Sequence, residues 1–179
     1  KGPSKTDIAP GEILVAIVLV GAERPVLVKL NAHELSSRLS YFLWSSLPDG
    51  ALAAKADSGK LRQPTVLRAE ALRMMEDGRA RALAANFAGQ WLETRRLEGV
   101  QPDRDRFPDF DDNLRAAMVR ETELFFENLI RTDASLLDLV EGEYTFLNER
   151  LARHYGIPGV RGNEFRRVAL SGTGRAGVL

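Results

Sequence analysis

The residue most out of place in this sequence is Glu121, and it is the first candidate for chemistry. The stretch VRETELFFENLI, residues 119–130, has helical spacing, with Leu114, Met118, Phe125 and Leu129 forming an apolar stripe. At about 100° per residue, Glu121 falls on that stripe between Leu114 and Ala117. Asn128 lies near the same edge, while Arg120, Glu123 and Glu127 face away. A carboxylate in an apolar sector is costly unless something satisfies it. Another helical stretch offers Arg38, set between Tyr41 and Phe42 with little polar company. The expectation is an Arg38–Glu121 ion pair across two packed helices. Such a pair reads first as a strut that fixes helix register, and second as a carboxylate tuned for acid or base work.

The remaining polar candidates for a site are Asn128, Asn148, His154 and Tyr155. His154 shares a helical face with Leu147, Leu151 and Tyr155 and reads as a half-buried core histidine. It has no second histidine or glutamate at metal-ligand spacing. His33, the other histidine, falls in a first helical turn and is expected to be exposed. No metal site is expected. GTGRAG matches a dinucleotide-binding fingerprint at Gly172, Gly174 and Gly177. Neither the helix that should present its N-terminus nor the acidic residue about 20 positions on follows it. It therefore reads as a Gly-rich linker. The Asp-rich PDRDRFPDFDD lacks the ligand spacing of a calcium loop and suits helix capping better. Trp44 and Trp91 could line a sugar-binding cleft, but their helical spacing favours core positions.

The totals set the class. With 179 residues, the chain is the size of one ordinary domain. Its 25 basic and 25 acidic residues cancel, which gives no global electrostatic case for nucleic acid or an anionic membrane. It contains no cysteine, so disulfides, thiolate metal sites and covalently attached haem are excluded within it. The apolar run ILVAIVLVGA is too short to span a bilayer, which needs about 20 residues. A start at Lys1 and an end in GRAGVL suggest a piece excised from a longer polypeptide.

The elements that must position the candidates are mostly helical. Residues 1–30 read as an N-terminal arm followed by a β-hairpin, EILVAIVLV and PVLVKL. Asn31 with Glu34 makes a capping-box start to a helix reaching about Ser46. Leu35, Leu39, Phe42 and Leu43 lie on one side of it, and Ser36, Ser37 and Ser40 allow close helix contact. A short helix follows at Ala51–Ser58, and a third, capped by Thr65, carries Val66, Leu67, Ala71, Met74 and Met75. A further helix covers Arg79–Leu97, with Leu83, Phe87 and Trp91 in step. The helix of Glu121 spans Asn113–Arg131, capped by Asp109 or Asp111. Asp133 caps a short DASLLDLV helix, and another runs from Thr145 to Tyr155. EFRRVAL is a candidate strand, and SGTGRAG a flexible tail.

Four segments in order, ELSSRLSYFLWSSLPDGAL, NFAGQWLETRRL, FPDFDDNLRAAMVRETELFFENLI and YTFLNERLARHYGIPGV, carry a family resemblance. They resemble a domain of unknown function in large exported proteins of planctomycetes and related bacteria, the planctomycete cytochrome-associated group. The match covers about Asn31–Val160, and GTGRAGVL looks like the opening of a following domain. The resemblance implies an extracytoplasmic location and a neighbouring c-type haem module. It implies no catalytic residue. The lead-in before Asn31 departs from the usual pattern.

The expected architecture is therefore mainly α, an irregular bundle of five to seven helices with a small N-terminal β-hairpin. Its parts are the arm and hairpin (1–30), the helical domain (31–160), and a strand with a Gly-rich linker into a following domain (161–179). The expected function is a non-catalytic structural or interaction domain of a larger exported, haem-associated protein. It has no cofactor of its own, and neighbouring domains of the same polypeptide are its partners. One alternative is part of an extracytoplasmic redox or polymer-degrading enzyme completed by its neighbours. Another is a carbohydrate- or partner-binding module that uses exposed aromatics. A concave polar pocket would favour the enzyme and exposed Trp or Tyr the binding module.

Overall fold

A computed structural model describes residues 29–178. The chain divides into two compact units at the Asp77–Gly78 turn, within the stretch read from sequence as a single helical domain. The described residues hold eight α-helices and one two-stranded antiparallel sheet. The arm and nearly all of the expected N-terminal hairpin lie outside the described residues.

The first unit is built on α1 (Ala32–Trp44), α2 (Gly50–Asp57) and α3 (Pro64–Glu76). The capping box at its start is complete. Asn31 Oδ1 accepts from the Glu34 amide at 2.9 Å, and Glu34 Oε2 accepts from the Asn31 amide at 2.8 Å. Ser36 and Ser40 are buried on α1, which lets the backbones come close, and Ser40 donates its hydroxyl to the Ser46 carbonyl. Trp44 is buried and donates its indole N–H to the Met74 carbonyl, which ties α1 to α3. Asp49 caps α2 and also receives both nitrogens of the Arg73 fork, at 2.9 and 3.1 Å. Arg73 bonds Glu70 as well, so one guanidinium staples the start of α2 to α3. Two expectations are corrected here. Pro64, not Thr65, opens α3, because a proline loses nothing at a first helical position. Phe42 is 57% exposed rather than in the apolar face of α1.

The second unit hangs on α6 (Asp112–Thr132), capped by Asp111, whose side chain accepts from the Leu114 amide at 2.7 Å. Two apolar clusters sit along this helix. Leu114 and Ala117 pack with Leu147, Leu151, Ile157 and Leu170. Further on, Phe125, Phe126 and Leu129 pack with Ala84, Ala88, Leu139 and Tyr144. The expected helix over Arg79–Leu97 is broken into pieces. Short α4 (Arg81–Leu83) and α5 (Gly89–Trp91) flank a π-helical turn, Ala84–Ala88, and a 3-10 turn covers Thr94–Gly99. A π turn adds one residue to the α-helical count and rotates the residues after it by about 100°. Leu83 stays buried, but Phe87 and Trp91, expected beside it in the core, are 46% and 54% exposed.

Beyond α6, two assignments change. Asp133 does not start a helix; it is the C-terminal cap of α6, in the left-handed conformation at φ 50°, and α7 is only Asp138–Glu141. Thr145 does not begin a helix either. Strand β1 is Tyr144–Leu147, and α8 (Glu149–Tyr155) starts after it with Asn148 as its cap. Strand β2, Arg166–Ala169, lies inside the EFRRVAL segment and pairs antiparallel with β1, Thr145 opposite Val168.

The segment after β2 folds back onto this unit. Gly177 donates its amide to the Gly142 carbonyl and Val178 donates to Leu139, both at 2.9 Å. Val178 packs against the Phe125 cluster. Gly177 sits at φ +56°, and a Cβ there would collide with the Leu139 carbonyl. Gly172 shares the left-handed backbone, at φ +79°, with open space around it. Gly177→Ala should therefore cost more than Gly172→Ala. We expect about 1 kcal/mol from backbone strain alone at Gly172 and about 3 kcal/mol at Gly177. Urea unfolding of the two variants measures the difference, and equal losses would mean the 172–178 segment is not seated as described.

Candidate functional site

The two apolar clusters leave a gap on α6, and Glu121 occupies it. β1 crosses α6 at that point, carrying Tyr144 into one cluster and Leu147 into the other, with Thr145 buried between them. Thr145 Oγ1 donates a hydrogen bond to Glu121 Oε1. The end of α8 supplies the second donor, Tyr155 Oη, at 2.7 Å from Glu121 Oε2. Each carboxylate oxygen thus takes one hydroxyl from a different element. Within its own unit the carboxylate is held by two hydroxyls, where the sequence suggests the Arg38 guanidinium. Arg38 is an exposed residue of α1 in the other unit.

These groups form one wall of an open cleft of about 780 Å³. Other walls come from Leu92, Leu97 and Met118, and from the returning Gly174–Val178 segment. That segment brings Arg175, whose guanidinium carbon lies 3.9 Å from the centre of the Tyr155 ring. At the cleft's edge Arg96 and Glu93 pair with each other at 2.9 Å. The volume is within the range of small-molecule sites, about 300–1,000 Å³.

The electrostatics follow from burial. Desolvation raises the Glu121 pKa, while the Thr145 and Tyr155 hydroxyls and the Arg175 charge oppose it. Desolvation, then the neighbouring Glu121 charge, hold the Tyr155 phenol well above its usual range. Tyr155 therefore keeps its proton and donates a hydrogen bond to Glu121. A partly buried carboxyl with a raised pKa in a cleft is the arrangement that ligand sites and acid–base sites share.

The other expected residues go elsewhere. Asn128 donates to the Tyr144 hydroxyl at 3.2 Å, and that hydroxyl donates to Asp138 at 3.1 Å. The Tyr144 ring stacks on Phe125 at 4.8 Å, so this chain of bonds orients a core aromatic. Asn148 caps α8, accepting from the Leu151 amide at 3.0 Å. It also borders a separate depression of about 570 Å³ with Asn113, Asn163 and Phe165. The arginines there are already engaged, Arg120 by Glu123 and Glu127, and Arg150 by Asp111 and the Asp109 carbonyl. His154, expected half-buried in the core, is exposed, because α8 turns the face of Leu151 and Ala152 inward instead. His33 is exposed as expected, 3.7 Å from Asp57. Among the described residues, no group of three or more His, Asp or Glu is placed to hold a metal ion. Nor is any described helix long and apolar enough to cross a membrane.

Of the expected site residues, then, Glu121 and Tyr155 come together. Thr145 and Arg175 were missed. Thr145 reads from sequence as a helix start, although the aromatic and β-branched residues of YTFL also suit a strand. Arg175 lay in a tail read as a linker, and nothing local in GTGRAG marks it as seated.

The raised Glu121 pKa has a consequence for stability. The folded chain binds that proton more tightly than the unfolded chain does. The contribution is full below the ordinary carboxyl value of 4.5 and is lost as pH rises through the folded value. Glu121→Gln cannot titrate there, so its unfolding free energy should fall less between pH 4 and pH 7 than that of the parent chain. Parallel slopes in urea titrations across that window would show that Glu121 is solvated.

No curated protein and no solved structure matches this chain. One family model does, over residues 30–157, under the description "Protein of unknown function (DUF1592)", PSD4. The matched span contains Glu121, Thr145 and Tyr155 and stops before Arg175. Since it covers well over half of the sequence, the chain belongs to the DUF1592 family.

Proposed function

We propose that this chain is a non-catalytic recognition domain of a larger exported protein, taking a polar ligand into the cleft beside Glu121. The observation that carries this reading is the Thr145–Glu121–Tyr155 arrangement in an open wall. It presents polar groups already oriented by one another, on α6, β1 and α8, before any ligand arrives. Sites held on regular elements keep their geometry without being ordered on binding. The extracytoplasmic setting, and a c-type haem module as a neighbouring domain of the same polypeptide, rest on the family resemblance of the four sequence segments.

A second reading has its own support. Burial raises the Glu121 pKa, and a carboxyl so tuned can act as a general acid or base. Under that reading the chain is one part of an extracytoplasmic redox or polymer-degrading enzyme, and neighbouring domains complete the site.

One experiment separates the two. The intact chain is screened by thermal unfolding against sugars, sugar acids, amino acids and short peptides. A ligand at about a hundredfold excess over its Kd should raise Tm by about 5 °C or more. Thr122→Trp, which fills the cleft from α6, should abolish the shift. Recovery of the ligand unchanged after long incubation supports recognition. Its conversion would support the enzymatic reading, and no shift with any compound would overturn the cleft as a ligand site.

A further inference from the structure

We propose that the cleft selects ligands bearing a single carboxylate, with Arg175 as the group that grips it. This rests on the reading of the cleft as a ligand site and names the chemistry of what enters it.

The case comes from which polar groups in the cleft are spent. Each Glu121 oxygen already takes a hydroxyl, and Tyr155 and Thr145 each direct their proton to Glu121. Arg96 is engaged by Glu93. Arg175 differs. Among the described residues, no carboxylate or carbonyl accepts a hydrogen bond from its guanidinium. Its side-chain neighbours are the Tyr155 ring, 3.9 Å from its guanidinium carbon, and the Glu121 charge. Stacking on an aromatic face holds a guanidinium by its plane and leaves its N–H edges open. The open edges form a fork whose geometry matches a carboxylate in a two-bond contact.

Charge then chooses among anions. One free guanidinium offsets one negative charge. The Glu121 carboxyl opposes every negative charge that enters, so a dianion such as phosphate meets about twice the repulsion that a monoanion does. A monoanionic carboxylate brings the least negative charge that can still engage the fork. The chain places Arg175 reliably because the residues after it are pinned, Gly177 to Gly142 and Val178 to Leu139. A hydroxyl on the ligand could also approach Glu121, since each oxygen of a carboxylate can accept more than one hydrogen bond. A sugar acid combines both features.

The test is isothermal titration of the intact chain with sodium D-glucuronate, D-glucose and inorganic phosphate. Glucuronate should bind, while glucose, which has the same ring without the carboxylate, and phosphate should each bind at least about tenfold more weakly. Arg175→Ala should lose about tenfold or more in glucuronate affinity. Arg175→Lys, which keeps the charge but not the fork, should lose most of the same amount. Arg153→Ala, which removes an exposed arginine outside the cleft, should bind within about threefold of the parent chain, and thermal unfolding of Arg175→Ala checks that the fold persists. Binding of glucose as tight as that of glucuronate, or full affinity in Arg175→Ala, overturns the carboxylate assignment while the cleft stands as a ligand site. So does preference for phosphate. If the wider panel of sugars, amino acids and peptides also fails to bind, the cleft reading falls and this assignment with it.

Discussion

A carboxylate on the apolar face of a long helix is the constraint around which the second unit is arranged. Removing an ionised carboxyl from water without compensation costs several kcal/mol, comparable to what a fully buried Phe side chain contributes. α6 accommodates Glu121 by interrupting its own core. The apolar clusters lie on either side, and the carboxylate occupies the gap. Into that gap come two hydroxyls, Thr145 from β1 and Tyr155 from α8. Their positions fix how the strand and the last helix cross α6. The carboxylate is thus the point at which three elements meet, α6, β1 and α8.

The same gap is why a cleft exists. Had position 121 been leucine, the two apolar clusters could join along α6. Instead the polar seam stays open, lined on the far side by the segment that returns after β2. That segment depends on a close backbone approach at Gly177, where no side chain fits. Arg175 is delivered over the Tyr155 ring by this route. Structure and recognition share one set of groups here: the tyrosine that satisfies Glu121 with its hydroxyl supports Arg175 with its ring.

How far this could be read from sequence depended on the range of the forces involved. Local signals were legible. The Asn31–Glu34 capping box, the span of α6 and its Asp111 cap are written within a few residues, and the structure has them. The misplaced carboxylate was legible too, because helical periodicity exposes it. Its partners were not, since Thr145 and Tyr155 lie 24 and 34 residues away. Spacing in the Leu83–Phe87–Trp91 series was misleading for a different reason. A π turn changes the period midway, and Phe87 and Trp91 rotate outward. The tail failed because glycines signal freedom to a reader of sequence, whereas Gly177 here signals contact. The mainly helical class survived these errors, while the count and placement of the smaller elements did not.

The central claim is that Glu121 is held by the hydroxyl groups of its own unit, and a double-mutant cycle tests it most directly. Glu121→Leu and Tyr155→Phe each remove one side of the bond without adding a new polar group. Unfolding free energies of the parent chain, both single variants and the double variant at pH 7 give the coupling between them. A hydrogen bond to a partly buried carboxylate should appear as a coupling of about 1–2 kcal/mol. Losses that simply add, with coupling below about 0.3 kcal/mol, would contradict the account and leave Glu121 as a solvated residue at the mouth of the cleft.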